Sequence, residues 1–142
     1  MVDASVAARW FVEGEDADTA LALLEVEAEL IAPDLLVAEL GNTLLKYVGS
    51  GVLEAERARP FLTAAKTAMS RFVPMSDLHD DAFALALEIR HPIYDCYYLA
   101  LARRDDALFV TADRRLLRKL VGTRLSGTAV YVSEWPVRGP AR

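Results

Sequence analysis

The sequence predicts an α/β domain in which a mainly parallel sheet of short strands carries helices on both faces. Short apolar segments alternate with longer segments whose apolar residues recur at helical spacing. Strands that are separated by helices normally pair in parallel and are covered on both sides. The 142 residues are enough for one domain. We assign residues 1–138 to this domain and expect residues 139–142 to form a disordered tail.

The first half of the chain contains two short extended segments and four helical ones. In order, they are an extended start (Met1–Asp3), a helical turn (Ser5–Phe11), a helix (Asp16–Glu29), an extended pair (Ile31–Ala32), and helices over Pro33–Val48 and Glu54–Arg71. Pro33 is expected to open its helix, where a missing N–H is harmless. Gly49 and Gly51 are expected to end it. Pro60 is tolerated in the following helix only near the start or as a kink.

The second half continues the same alternation. Its predicted elements are an extended piece (Phe72–Pro74), helices over Leu78–Ile89 and Tyr94–Arg104, a strand (Leu108–Thr111), a helix (Asp113–Leu120) and a last strand (Ala129–Val132). Ser76 or Asp77 is expected to cap the first of these helices, because short polar side chains accept hydrogen bonds from free N–H groups. The strand Leu108–Thr111 is mostly apolar, as is typical of a buried strand.

The net charge of −5 is divided unevenly along the chain. Residues 1–102 carry 7 basic and 17 acidic side chains, whereas residues 103–124 carry 7 basic and 3 acidic ones. Such asymmetry is typical of a phosphate-contacting edge on an acidic body. We therefore predict phosphate contacts for Arg114, Arg115 and Arg118. The alternative, that these arginines only solvate a helix face, stays open.

The composition excludes several classes of protein. Cys96 is the single cysteine, so neither an internal disulfide nor a zinc site built from several cysteines can form. No stretch has the roughly 18–20 uncharged apolar residues of a membrane helix. The N-terminus also lacks a basic segment that leads into an apolar run. We expect a cytoplasmic protein.

Four acidic residues are candidates for a functional site, and two of them lie where this fold gathers functional groups. In open parallel sheets, the site lies at the carboxyl ends of the strands. Asp3 ends the first extended segment, and Asp113 follows the strand Leu108–Thr111. Glu39 borders the leucine-rich face of its helix. Asp95 lies in a segment that is otherwise nearly all apolar or aromatic.

Each acid also has a structural interpretation. Asp3 and Asp113 are suited to cap the helices that follow them, and Glu39 and Asp95 are suited to be ordinary helix acids. As a group, however, partly buried carboxylates are costly to ionise and repel one another. A divalent cation such as Mg²⁺ or Mn²⁺ removes both penalties, because it binds carboxylate oxygens and water.

Four segments of the chain carry a resemblance to a known family. They read VDAS at residues 2–5, APDLLVAELGN at 32–42, YDCYYLALA at 94–102 and LFVTADRRL at 108–116. In order and content they resemble the four signatures of PIN-domain proteins, and those of the VapC-type toxins most closely. The resemblance spans nearly the whole chain.

The resemblance implies a metal-dependent endoribonuclease with a parallel α/β fold. The acids that would bind Mg²⁺ or Mn²⁺ at one end of that fold are Asp3, Glu39, Asp95 and Asp113. The motif positions that would support them are Ser5, Asn42 and Thr111. Cleavage of RNA would leave 5′-phosphate and 3′-hydroxyl ends, and the arginines after Asp113 would contact the RNA backbone.

The resemblance also implies protein partners. VapC-type proteins are the toxins of type II toxin–antitoxin pairs and form homodimers. A small antitoxin inhibits them by placing its C-terminal segment in an apolar groove near the acids. The segments Leu21–Leu24 and Leu35–Tyr47 are candidates for the walls of this groove, although they equally fit a core position.

Two features depart from the family pattern. Family members often carry another acid two residues after the last one, where this chain has Arg115. That difference weakens a second metal site or gives the position to phosphate binding. Only Met1 and Val2 precede Asp3, so we expect either a clipped first strand or a start that lies upstream.

Other functions fit the sequence less well, with one exception. A phosphoacceptor receiver domain needs a lysine after a late strand, but residues 113–118, which follow the strand Leu108–Thr111, contain arginines and no lysine. A haloacid-type phosphatase needs a second aspartate two residues after the first, where this chain has Ser5. A catalytically silent PIN-fold protein that binds RNA or a partner is compatible with the same residues. Measurements of metal binding and cleavage distinguish it from the enzyme.

Overall fold

Every strand pairing in residues 1–137, which are the residues that the computed structural model describes, is parallel. The strands are β1 (Ile31–Pro33), β2 (Arg71–Val73), β3 (Phe109–Thr111) and β4 (Ala129–Tyr131). The helices are α1 (Ala4–Ala7), α2 (Ala17–Ala22), α3 (Leu35–Gly49), α4 (Ala55–Ala68), α5 (His79–Ile89), α6 (Ile93–Arg104) and α7 (Arg114–Leu120). Single turns of 3₁₀ helix cover Ala8–Trp10, Leu23–Glu25 and Met75–Asp77, and a longer one covers Val132–Val137. The tail expected at 139–142 lies outside the described residues.

The strands form two pairs, and the first residues of the chain join one of them. β1 pairs with β2, and β3 pairs with β4. Val2 forms a parallel bridge with Val110 of β3, and the N–H of Val110 donates to the carbonyl of Met1 over 2.9 Å. This pairing ends just before Asp3, so that residue emerges beside the carboxyl end of β3. The predicted α/β class with short parallel strands is confirmed.

The core lies between the strands and the two long helices α3 and α6. Seven consecutive residues of α6, Cys96–Ala102, are buried, which is the pattern of a helix that is covered on all sides. The Tyr98 ring stacks on Phe109 of β3, with 5.4 Å between ring centroids. The leucines of α3 that reach the same core are Leu35, Leu36, Leu40 and Leu44. No helix within residues 1–137 is long and apolar enough to cross a membrane.

The predicted helix over Asp16–Glu29 is wrong in its extent. α2 ends at Ala22, and a single 3₁₀ turn follows it. Beyond the buried Leu23 the segment is largely exposed, Ala28 included, so little core packing supports a longer helix. Acidic residues at the C-terminal end of a helix also oppose its dipole, and this segment carries Glu25, Glu27 and Glu29.

Two predicted helix starts are also wrong. Pro33 ends β1 instead of opening α3, because the ladder continues past it: the N–H of Asp34 donates to the carbonyl of Val73 over 2.9 Å. Neither Ser76 nor Asp77 caps α5. A 3₁₀ turn leads into that helix, and the residue at its N-cap is the buried Leu78.

Truncation of a core leucine in α6 should be far more costly than truncation of an exposed one in α3. Leu101 is 0% exposed and Leu45 is 67% exposed. Leu101→Ala should lower the free energy of unfolding by about 2–5 kcal/mol, because it leaves a cavity. Leu45→Ala should change it by no more than about 0.5 kcal/mol. Urea unfolding followed by circular dichroism measures both values, and equal effects would contradict this description of the core.

Candidate active site

The four candidate acids line one cavity of about 410 Å³. Asp3 lies between the bridge to β3 and α1, and Asp113 lies between β3 and α7. Glu39 is on the second turn of α3, and Asp95 is on the first turn of α6. Residues that are up to 110 positions apart in the sequence are thus brought to one place. The other polar residues around the cavity are Ser5, Arg9, Asn42, Thr43, Lys46 and Tyr47.

Three hydrogen bonds hold the carboxylate of Asp3, which is buried. The Ser5 hydroxyl donates to its Oδ1 over 2.5 Å, and the N–H of Val6 donates to the same atom over 3.1 Å. The Thr111 hydroxyl donates to Oδ2 over 2.5 Å. Asp3 is therefore the N-cap of α1 and a wall of the cavity at once.

Asp113 combines the same two roles at the start of α7. Its Oδ1 accepts hydrogen bonds from the N–H groups of Arg115 (2.8 Å) and Leu116 (3.2 Å). Its own N–H donates to the Thr111 hydroxyl oxygen over 3.1 Å. Since that hydroxyl donates to Asp3, Thr111 joins the two acids directly. The capping interpretation and the site interpretation of these acids are therefore compatible.

Glu39 and Asp95 are each held through one carboxylate oxygen. The Tyr98 hydroxyl donates to Oε1 of Glu39 over 2.9 Å. Nε2 of His91 lies 2.6 Å from Oδ2 of Asp95, four residues further along the chain. The sequence alone does not identify His91 as a partner of this acid. A spacing of four residues brings side chains together on a helix. Pro92 lies between His91 and Asp95, however, so the sequence predicts a helix that begins only after His91.

The supporting motif positions differ in what they contact. Ser5 and Thr111 both donate to Asp3, and the Ser5 hydroxyl oxygen also accepts from the N–H of Ala112 over 3.0 Å. Asn42 lines the cavity, but among residues 1–137 its side chain forms no hydrogen bond with the four acids. The structure therefore places Ser5 and Thr111 against the acids and Asn42 at the cavity wall.

Burial and repulsion by neighbouring carboxylates disfavour the charged forms of Asp3 and Glu39. Burial raises the pKa of Asp3, and the neighbouring Asp95 carboxylate raises it further. Burial likewise raises the pKa of Glu39, and the charges of Asp3 and Asp95 add to this effect. Burial also holds the pKa of Tyr98 well above its usual value, so its hydroxyl keeps its proton and donates to Glu39.

The chemistry of this donor set fits a hard divalent cation. One oxygen each of Glu39, Asp95 and Asp113 accepts no hydrogen bond from the described residues. None of these oxygens is buried, so each is open to solvent. Within residues 1–137, no three of the acids lie close enough together to bind one ion directly. Magnesium commonly binds through one or two carboxylates and completes its shell with water and substrate phosphate.

The three arginines after Asp113 do not face this cavity. Arg114 and Arg118 line a separate cavity of about 370 Å³ beside β4. The Arg114 guanidinium lies over the Tyr131 ring, 3.7 Å from its centroid. Arg115 is exposed and lines neither cavity. Their contact with RNA phosphates stays a prediction, and the acid cavity has other cations, Arg9 and Lys46, that the sequence interpretation missed.

The fold and the site together define a class: a parallel α/β protein with an acidic cavity where its strands end. The sequence profile of the PIN domain family matches residues 1–121. The chain therefore belongs to the PIN domain family, and within it to the VapC type.

A ribonuclease and a solved structure, both from Pyrobaculum aerophilum, illustrate this similarity. Ribonuclease VapC3 is 32% identical over an alignment of 125 residues, and the match covers 84% of this chain and 92% of that protein. The crystal structure of PAE2754 superposes with a TM-score of 0.69 at 26% identity, and the match covers 96% of this chain and 91% of that one. The fold of the whole described chain is thus the PIN fold.

The raised pKa of Glu39 predicts a pH-dependent stability in metal-free protein. A carboxyl whose pKa is higher in the folded state than its ordinary value of 4.5 stabilises the fold while protonated, and this contribution is lost as the pH rises through the folded pKa. Glu39→Gln keeps the acceptor for Tyr98 but cannot ionise.

The variant should therefore be more stable than the wild type at pH 8 in EDTA, and the difference should shrink toward pH 4. Urea unfolding at a series of pH values measures this difference. Added Mg²⁺ should stabilise the wild type more than the variant. A difference in stability that is the same at pH 4 and pH 8 would contradict the assigned environment of Glu39.

Proposed function

We propose that this protein is a divalent-metal-dependent endoribonuclease, the toxin of a type II toxin–antitoxin pair. The observation that carries the proposal is the convergence of four motif acids, from four separate segments, on one cavity. The similarity to a protein named Ribonuclease VapC3 over most of both chains supports RNA as the substrate. The bond to be broken is the RNA phosphodiester.

Asp3, Glu39, Asp95 and Asp113 would hold one or two ions of Mg²⁺ or Mn²⁺, in part through water. A bound ion supplies activation of a water molecule and neutralisation of charge on the phosphate. The residues of the chain orient the carboxylates for this task. Tyr98 holds one oxygen of Glu39 and His91 holds one of Asp95, which leaves the other oxygen of each without a hydrogen bond from the described residues.

Asp3 has a different place in the proposed mechanism. Both of its oxygens accept hydrogen bonds from Ser5, Val6 or Thr111, so its orientation is the most restricted of the four. Its charge contributes to the field at the cavity even where its oxygens are shared. We propose that hydrolysis by a water molecule leaves 5′-phosphate and 3′-hydroxyl ends, as the family resemblance implies.

A catalytically silent PIN-fold protein that binds RNA or a partner is the second candidate. One observation favours it: within the described residues no three acids are close enough to share an ion directly. The presence of Arg115 where relatives often carry an acid points the same way. Calorimetry with Mn²⁺ beside an RNA cleavage assay separates the two, because metal binding without cleavage supports the silent protein.

Substitution of a cavity acid should abolish RNA cleavage without unfolding the protein. Asp113→Asn keeps a side chain that caps α7, and Asp95→Asn keeps an acceptor for His91. Each should lower the cleavage rate by at least about 100-fold, in the range that loss of a charge-stabilising group produces. The exposed Asp80 outside the cavity supplies the control, Asp80→Asn.

Thermal melting of each variant checks the fold, and gel analysis of labelled RNA measures the rate. Wild-type cleavage by Asp95→Asn or Asp113→Asn at an unchanged melting temperature would refute the proposed mechanism. An equal loss of activity in Asp80→Asn would also contradict it, because that carboxylate does not reach the cavity.

The toxin role makes a prediction for living cells. Induced expression of the wild-type protein should arrest growth, and expression of Asp113→Asn at the same level should not. If a small antitoxin gene adjoins this gene, its co-expression should relieve the arrest. Optical density and immunoblots follow growth and protein level. Equal arrest by both proteins would argue against a toxin that acts through cleavage.

The proposal includes two protein contacts. Leu21, Leu24 and Leu45 are exposed, which suits an apolar groove for an antitoxin segment, whereas Leu23, Leu36 and Leu40 belong to the core. A homodimer is the other contact. Of the three tyrosines at the start of α6, only Tyr94 is exposed, close in sequence to the exposed Phe83 and Leu87 of α5. These apolar side chains are available for a dimer interface.

A further inference from the structure

Two basic side chains, Arg9 and Lys46, share the cavity with the four acids. They are unexpected there, because the sequence assigned phosphate binding to the arginines after Asp113. Arg9 follows α1, and Lys46 lies near the end of α3. A cation beside a group of carboxylates normally pairs with one of them, so their actual partners indicate their role.

Main-chain carbonyls, and not carboxylates, hold Arg9. Its Nη1 donates to the carbonyl oxygen of Ser5, and its Nε donates to that of Glu15 over 3.2 Å. The ion pairs of residues 1–137 with N–O distances up to 4.0 Å do not include Arg9. By contrast, Arg71 and Arg124 each contact a carboxylate. Arg9 is thus partly buried and bound by two carbonyls, while no carboxylate of the described residues neutralises its charge in an ion pair.

Lys46 lies on the face of α3 that the cavity uses. It is two helical turns after Glu39, with Thr43 between them, and all three line the cavity. The Thr43 hydroxyl donates to the main-chain carbonyl of Glu39 over 3.0 Å. In the described part of the chain Lys46, like Arg9, is in none of the ion pairs. Lys46 is exposed.

We propose that Arg9 and Lys46 bind backbone phosphates of the RNA on either side of the bond to be cleaved; this inference rests on the proposed function. The cavity acids repel a polyanion, so a nucleic acid requires cations at the same place to enter. Cations that paired with the acids would neutralise the site itself. Main-chain carbonyls bind Arg9, and no carboxylate of the described residues forms an ion pair with Arg9 or Lys46. The positive charges of both side chains are therefore available to phosphate.

An acidic segment of a protein partner is the other class of ligand that two cations attract. The location favours RNA, because these cations border the carboxylates that the phosphodiester reaction needs. A protein ligand would have to place its own acids against the same carboxylates. The test therefore measures RNA binding directly and treats protein binding as a contrary outcome.

The experiment uses the full chain with Asp113→Asn as the parent, so that the RNA stays intact. Binding of a fluorescent single-stranded oligoribonucleotide is followed by anisotropy over a range of NaCl concentrations. Arg9→Gln and Lys46→Gln are compared with the parent and with controls at exposed α4 positions outside the cavity, Arg59→Gln and Lys66→Gln. Each phosphate contact on single-stranded nucleic acid contributes about 0.7 to the slope of log K against log salt.

Each cavity variant should reduce the magnitude of that slope by about 0.7, and the double variant by about 1.4. The affinity that each single variant loses against the parent should therefore be roughly fivefold larger at 0.1 M salt than at 1 M salt. The controls should keep the parent slope. Calorimetry of Arg9→Gln with wild-type acids should find Mn²⁺ affinity unchanged or higher, because a cation beside the acids has been removed.

Three results would overturn the inference. Slopes of the cavity variants that equal those of the controls would exclude phosphate contacts. Weaker Mn²⁺ binding by Arg9→Gln would assign Arg9 to positioning Ser5 and Asp3. Loss of binding to an acidic peptide with unchanged RNA binding would assign the cations to a protein. In each of these cases, cleavage of RNA by the wild type still supports the proposed function. If the wild type neither cleaves nor binds RNA, the proposed function and the phosphate-binding inference are both wrong.

Discussion

The cost of burying carboxylates in one cavity, to which their mutual repulsion adds, is the constraint around which the cavity is built. Burial makes the charge of Asp3 costly, and Asp95 adds to the cost. Hydrogen bonds from neutral donors partly offset this cost: the hydroxyls of Ser5 and Thr111 donate to Asp3, and the hydroxyl of Tyr98 donates to Glu39. Such contacts lower the cost of ionisation without cancelling the charge, so the cavity remains attractive to a cation.

The same acids are part of the local backbone structure. Asp3 caps α1 and Asp113 caps α7, and Thr111 joins the two across 108 residues of sequence. The strand pairing between Val2 and Val110 brings these two caps side by side. Because the N-cap residues of two helices also line the cavity, few additional elements are needed to bring the acids together. This explains how strands of three residues suffice.

Local patterns of the sequence predict the elements well and their ends less well. Helical spacing located α3 and α6, and an apolar run located β3. The end of α2 and the role of Pro33 depend on packing and strand pairing that no local pattern contains. Motif resemblance predicts the four acids as a group, and the structure places them around one cavity. His91, Arg9 and Lys46 are not predicted, because their importance follows only from which side chains meet in space.

Tyr98 belongs to the core and to the site simultaneously. Its ring stacks on Phe109, while its hydroxyl holds Glu39. Loosening of the central packing is therefore transmitted to a cavity carboxylate through one rigid aromatic group. On warming, function and tertiary order should disappear together, with no inactive but still well-packed intermediate.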